Sequence, residues 1–126
     1  KFESNFVSLE IPKNNSVMFG SLSGTKLGVW VAHGEGKFEF PYEEKEYNII
    51  AKYNYDGYPA NPNGSPWSVA GVCSKDGRHL AVMPHPERAI FPWQCGYYPA
   101  DRKENDEVTP WIEAFVNARK WIENNK

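Results

Sequence analysis

Val69-Ala70-Gly71-Val72-Cys73-Ser74-Lys75-Asp76-Gly77-Arg78-His79-Leu80-Ala81-Val82-Met83-Pro84-His85-Pro86-Glu87-Arg88 is the stretch that decides how this chain folds. Two stretches, Val69 to Ser74 and Arg78 to Met83, flank Lys75-Asp76-Gly77. That is a hairpin signal, with Asp-Gly supplying the positive φ angles of the turn. The run Leu80-Ala81-Val82-Met83 predicts a buried strand that presents an imidazole and a carboxylate at its tip, His85 and Glu87. Alternate residues at a strand end point the same way, and the prolines at 84 and 86 limit backbone freedom around the pair. A carboxylate beside an imidazole fixes its tautomer and favours its cationic form, as general-base chemistry requires. The plain alternative is an inert surface turn, and spacing alone leaves both readings open.

Outward from this hairpin, three more strands are expected. They are Phe6 to Ile11, closed by Pro12 and the turn-formers Asn14-Asn15-Ser16; Lys26 to His33; and Tyr47 to Tyr53. Residues 54–67 hold Asp56-Gly57, Tyr58-Pro59 and Asn61-Pro62-Asn63-Gly64-Ser65-Pro66, a density of turn-formers that forbids regular structure and suits a functional loop. Residues 91–103 are irregular and aromatic. The last segment predicts a helix capped by Thr109, with Pro110 at its first position and one apolar stripe of Trp111, Phe115, Ala118 and Ile122.

The chain has 126 residues, one domain's worth, of which 40% are hydrophobic and 15% aromatic. Fourteen basic residues against sixteen acidic ones give a net charge of −2, which predicts neither nucleic acid nor an anionic membrane as partner. No apolar run is long enough to span a bilayer. Lys1-Phe2-Glu3-Ser4 has neither an initiating Met nor a signal-peptide pattern, so a piece of a longer polypeptide is expected. Two cysteines, Cys73 and Cys95, form no disulfide framework or metal spacing, and a reduced cytosolic setting follows. Several strands with one clear helix cannot build a parallel sheet, which needs crossover helices. The expectation is part of a sheet whose other strands and helices lie upstream.

His33-Gly34-Glu35-Gly36, at the end of the second expected strand, reads either as a loop lining the same site or as a tight turn. Neither cysteine has the strand–turn–helix elbow with flanking glycines that a nucleophile needs. A metal site drawn from His33, Glu35, His85 and Glu87 lacks the usual His/Cys spacing, so none is assigned.

Six segments in order resemble one family: Phe2-Glu3-Ser4-Asn5-Phe6, Trp30 to Gly36, Tyr58 to Ser65, Ala70 to Ser74, Asp76 to Leu80, and Met83 to Arg88. Together they are similar to the C-terminal part of the class I (triad-type) glutamine amidotransferase domain of the phosphoribosylformylglycinamidine synthases. The resemblance runs from Phe2 to about Pro99. It implies an α/β, flavodoxin-like class I glutaminase fold, of which this is the C-terminal portion: a mixed sheet with a hairpin and a C-terminal helix. It implies hydrolysis of glutamine, with the ammonia passed to a synthetase domain or subunit where ATP and magnesium act. No cofactor is expected within these residues. The family's triad histidine and glutamate map onto His85 and Glu87. His33, Glu35, Asn61, Asn63 and Ser65 match family segments and are expected to bind substrate or line the site. The family's cysteine elbow precedes the matched region, so the chain alone is expected to be inactive, and its incomplete sheet to self-associate. The competing reading is a noncatalytic α/β docking module of a synthetase complex, using Phe91-Pro92-Trp93-Gln94 and Tyr97-Tyr98-Pro99.

Overall fold

The computed structural model describes residues 3–34, 36–54, 61 and 64–126. Alternation of apolar and polar side chains builds the first pair of strands, β1 (Glu3–Glu10) and β2 (Lys26–His33). They are antiparallel, with Val7 opposite Val29 and Phe6 opposite Trp30. Val7, Leu9, Val29 and Val31 are buried on the core side. On the other face the Phe6 ring meets Trp30 edge-on at 5.0 Å. β3 (Asn48–Tyr53) joins the far end of β1 at Leu9 and Glu10, then pairs with β4 (Val69–Cys73), which pairs with β5 (Leu80–Val82). The strand order is β2-β1-β3-β4-β5, and every strand pair among the described residues is antiparallel.

The chain leaving β5 reaches back to the opposite edge of this order. There His85 forms an isolated antiparallel bridge with Trp30 of β2, so the sheet curls toward closure. Edge carbonyls of β2 are capped in consequence: Trp30 O accepts the His85 N–H at 2.8 Å, and Gly28 O accepts the Trp111 indole N–H at 2.8 Å.

The predicted hairpin is present, though only Gly77 carries a positive φ, +76°. Asp76 contributes through its side chain instead, accepting from the Ser74 hydroxyl at 2.6 Å and the Arg78 N–H at 3.1 Å. These bonds hold the Asp76 carboxyl below the usual carboxylate range. β5 is not the buried strand expected. It lies at the sheet edge, with Ala81 exposed and Leu80 and Val82 half-buried.

After a single helical turn, α1 (Ala100–Lys103), the expected C-terminal helix is α2 (Ile112–Asn124). Thr109 does not cap it, since no side chain bonds its first turn. The predicted stripe is also shifted: Trp111 and Ala114 are buried, whereas Phe115 is 38% and Ile122 57% exposed. Trp111 packs on Phe19 at 5.6 Å, and that short approach leaves room for the small Ala114 rather than for Phe115. Among the described residues no helix is long and apolar enough to cross a membrane.

Candidate active site

Proline at 86 sets the local geometry. Its fixed φ begins a single 3-10 turn over Pro86–Arg88, in which Arg88 N–H donates to His85 O at 3.1 Å and Ala89 N–H to Pro86 O at 3.0 Å. His85 and Glu87 therefore meet across a turn, not by alternation along a strand as expected. Their approach is close: His85 Nδ1 lies 2.8 Å from Glu87 Oε2. A carboxylate only accepts, so the shared proton belongs to Nδ1, and Nε2 is left as the acceptor of the neutral ring. The side chains are 31% and 54% exposed. Water screens a pair this open, which is worth at most about 1 kcal/mol to folding. Its effect is on orientation, and the backbone bonds do the holding.

The surroundings come from distant segments. Met83 N–H donates to Ala70 O at 3.0 Å, and Pro84 is buried. A Cβ placed on Gly36 would come within 2.5 Å of Met83 Cε, so the segment after β2 lies against the residue that leads into the histidine turn. His33 ends β2, beyond the Trp30 that bridges His85. Asn61 is buried, and its side-chain amide is engaged with Ser65: Nδ2 donates to Ser65 O at 3.0 Å, and Oδ1 accepts Ser65 N–H at 2.9 Å. Ser65 leads into Trp67 and Ser68, both at positive φ (54° and 57°), and the Trp67 ring stacks on Phe40 at 5.1 Å. Glu35 and Asn63 lie outside the described residues. Among the described residues no three His, Cys, Asp or Glu side chains gather to hold a metal ion.

Neither cysteine is set up as a nucleophile. Burial pushes both thiols above their ordinary value, the opposite of activation. Cys73 sits at the hairpin end of β4 and accepts from Asn48 Nδ2 at 3.0 Å, while the chain reaches His85 only beyond the other end of β5.

Residues 1–122 match the model of the CobB/CobQ-like glutamine amidotransferase domain. The chain belongs to this family. Proteins similar to this amidotransferase chain include human phosphoribosylformylglycinamidine synthase, 43% identical over 96% of the chain, and the Drosophila melanogaster protein of the same name, 42% identical over 96%. The Arabidopsis thaliana protein named as the probable chloroplastic/mitochondrial phosphoribosylformylglycinamidine synthase is 42% identical over 98%. The chain spans about a tenth of the length of each of these relatives. The solved structure of PurLQS from Thermotoga maritima superposes with a TM-score of 0.70 at 24% identity, over 97% of this chain and 49% of that one. That likeness establishes a shared fold: an antiparallel curled sheet with a C-terminal helix.

Reading the amidotransferase chain from its sequence missed three residues around the turn. Trp30 was legible as part of a strand and of a family segment, but not as the residue that bridges His85. Gln94 accepts the Ile90 and Phe91 N–H groups through Oε1, at 3.0 and 2.9 Å, and accepts the Trp30 indole N–H through its backbone carbonyl at 2.7 Å. A glutamine at the third position of a turn is the one local signal that could have found it. Thr109 was read as a cap, whereas its hydroxyl donates to Ala89 O at 2.5 Å.

Proposed function

We propose that this chain supplies the histidine–glutamate side of the glutaminase site of a phosphoribosylformylglycinamidine synthase. The observation that carries the reading is the 2.8 Å contact between His85 Nδ1 and Glu87 Oε2, within a chain that matches the amidotransferase family over residues 1–122. His85 Nε2 takes the proton of a cysteine thiol, and the thiolate attacks the side-chain amide carbon of glutamine. As the carbon–nitrogen bond breaks, the imidazolium returns that proton to the departing ammonia. Nε2 then takes a proton from water, which attacks the thioester, and glutamate leaves as the thiol is restored. Glu87 keeps the ring oriented and stabilises its cationic form through both cycles.

The attacking cysteine is not Cys73 or Cys95. It belongs to an elbow outside these residues, in the portion that completes a flavodoxin-like class I fold with parallel strands and crossover helices. His33, Glu35, Asn61, Asn63 and Ser65 bind glutamine or line its approach. Ammonia passes to a synthetase part, where ATP and magnesium drive conversion of formylglycinamide ribonucleotide to the amidine, in the cytoplasm.

The test is amidation by the complete enzyme that contains this chain, with glutamine or with ammonia as nitrogen source. His85→Ala lowers the glutamine-dependent rate on the order of 1000-fold or more and leaves the ammonia-dependent rate in place. Glu87→Gln gives a smaller loss, on the order of 10- to 1000-fold. Glutamine-dependent turnover that survives His85→Ala sinks the assignment. One observation would then favour a docking module: Phe91 and Trp93 stack at 5.9 Å, with Trp93 74% and Tyr97 73% exposed.

A further inference from the structure

We infer that Thr109 is a positioning residue for the His85–Glu87 pair, fixing the chain where it leaves the histidine turn. The inference rests on the catalytic reading of His85 and Glu87 proposed above.

Thr109 is buried, and it holds two successive carbonyls. Its hydroxyl donates to Ala89 O at 2.5 Å, and its backbone N–H donates to Ile90 O at 2.7 Å. Ala89 is the residue that closes the turn: it is fully buried, and its own N–H donates to Pro86 O. At the other end of the turn, His85 N–H is fixed to Trp30 O. The turn is thus clamped at both ends, and the two reactive side chains project from between the clamps.

Both clamps refer to one strand. The residue after Thr109 is Pro110, and the next is buried Trp111, whose indole N–H is bonded to Gly28 O of β2. Trp30, two residues further along β2, receives His85. A displacement of Thr109 relative to Trp30 would therefore change the angle at which Glu87 meets the imidazole, and with it the direction of Nε2. A local use for this hydroxyl was at hand, as cap of α2, yet that helix begins without a side-chain cap. The hydroxyl is committed to the turn instead.

Thr109→Val keeps the branched shape and removes the donor, leaving the Ala89 carbonyl without its side-chain partner. Thr109→Ser keeps the donor. Both are measured in the complete glutamine-dependent enzyme, as kcat and KM for glutamine and as the rate with ammonia in place of glutamine. The expected result is a kcat lower by about tenfold or more in Thr109→Val, because small misplacements of a catalytic group are costly. KM for glutamine and the ammonia-dependent rate stay within about twofold, and Thr109→Ser recovers most of the lost kcat, as a positioning role requires.

A normal kcat in Thr109→Val overturns the inference. So does a parallel fall of the glutamine- and ammonia-dependent rates, which marks a purely structural role. If Thr109→Val does not fold, Thr109→Ala is read by the same criteria. Failure of both to fold, with Thr109→Ser soluble, also counts as structural and overturns it. His85→Ala measured alongside separates the two readings. Loss of glutamine-dependent turnover in His85→Ala with a normal Thr109→Val removes only the role of Thr109. Retention in His85→Ala removes the site assignment and this inference together.

Discussion

At the scale of single residues, the two cysteines and the histidine–glutamate pair separate by environment. His85 and Glu87 sit at the surface on a turn held by backbone bonds, where a proton can be exchanged with a bound molecule. Cys73 and Cys95 are half-buried thiols whose pKa values burial has raised. A raised thiol pKa means less thiolate at neutral pH. Alkylation of both by iodoacetamide at pH 7 should be slower than that of a free cysteine, and should accelerate as the pH rises through the elevated pKa. Rapid labelling of either at pH 7 would identify an activated thiol and contradict their assignment as incidental. The Pro-His-Pro-Glu signature was legible because proline, imidazole and carboxylate act over neighbouring positions. Asn61 was legible as a loop residue, but not as the residue whose amide closes that loop on Ser65. Turn-former density marks such a loop but does not name the hydrogen-bond partners of an amide within it.

At the scale of elements, the hairpin β4–β5 is held tightly at its turn. Gly77 has a φ of +76°, and a Cβ there would come within 2.2 Å of Asn15 O. Its carbonyl also accepts Val17 N–H at 2.9 Å, which docks the turn on the loop after β1. Gly77→Ala should destabilise the protein by about 2–4 kcal/mol, combining left-handed strain with overpacking against backbone that has little freedom to move. A fall in the urea midpoint with an unchanged slope would measure it, and a loss below about 0.5 kcal/mol would show that the turn relaxes freely. The strands were legible from alternation, and β2 falls on the expected residues, Lys26–His33. The buried face of α2 was not. Positions 111, 115, 118 and 122 and positions 111, 114, 118 and 121 both follow a helical period. Large apolar residues favour the first set. The structure uses the second, because α2 is anchored beside Phe19, Asn117 Nδ2 donates to Met18 O and Ser21 Oγ, and Arg78 lies over the Trp121 ring at 5.0 Å.

At the scale of the whole molecule, Trp111 joins the helix to the sheet. It is 1% exposed, packs on Phe19 and caps an edge carbonyl of β2. Trp111→Phe keeps most of the apolar contact and removes the donor. It should cost about 1–3 kcal/mol for the carbonyl left unpaired, read as a lower thermal midpoint. A midpoint equal to that of the parent would mean water takes over the bond. What the sequence determined by itself was the list of strands, the hairpin, the existence of the last helix, the histidine–glutamate motif and the family likeness. All of these rest on periodicity, turn chemistry or residue order within short windows. Tertiary structure alone decided that the sheet is curled and antiparallel, that His85 bridges to Trp30, and that the Thr109 hydroxyl holds Ala89 rather than a helix end. The partners are 20 residues apart for Thr109 and Ala89, and 83 apart for Trp111 and Gly28. A hydroxyl or an indole N–H satisfies whichever acceptor packing brings near, and no local pattern names that acceptor in advance.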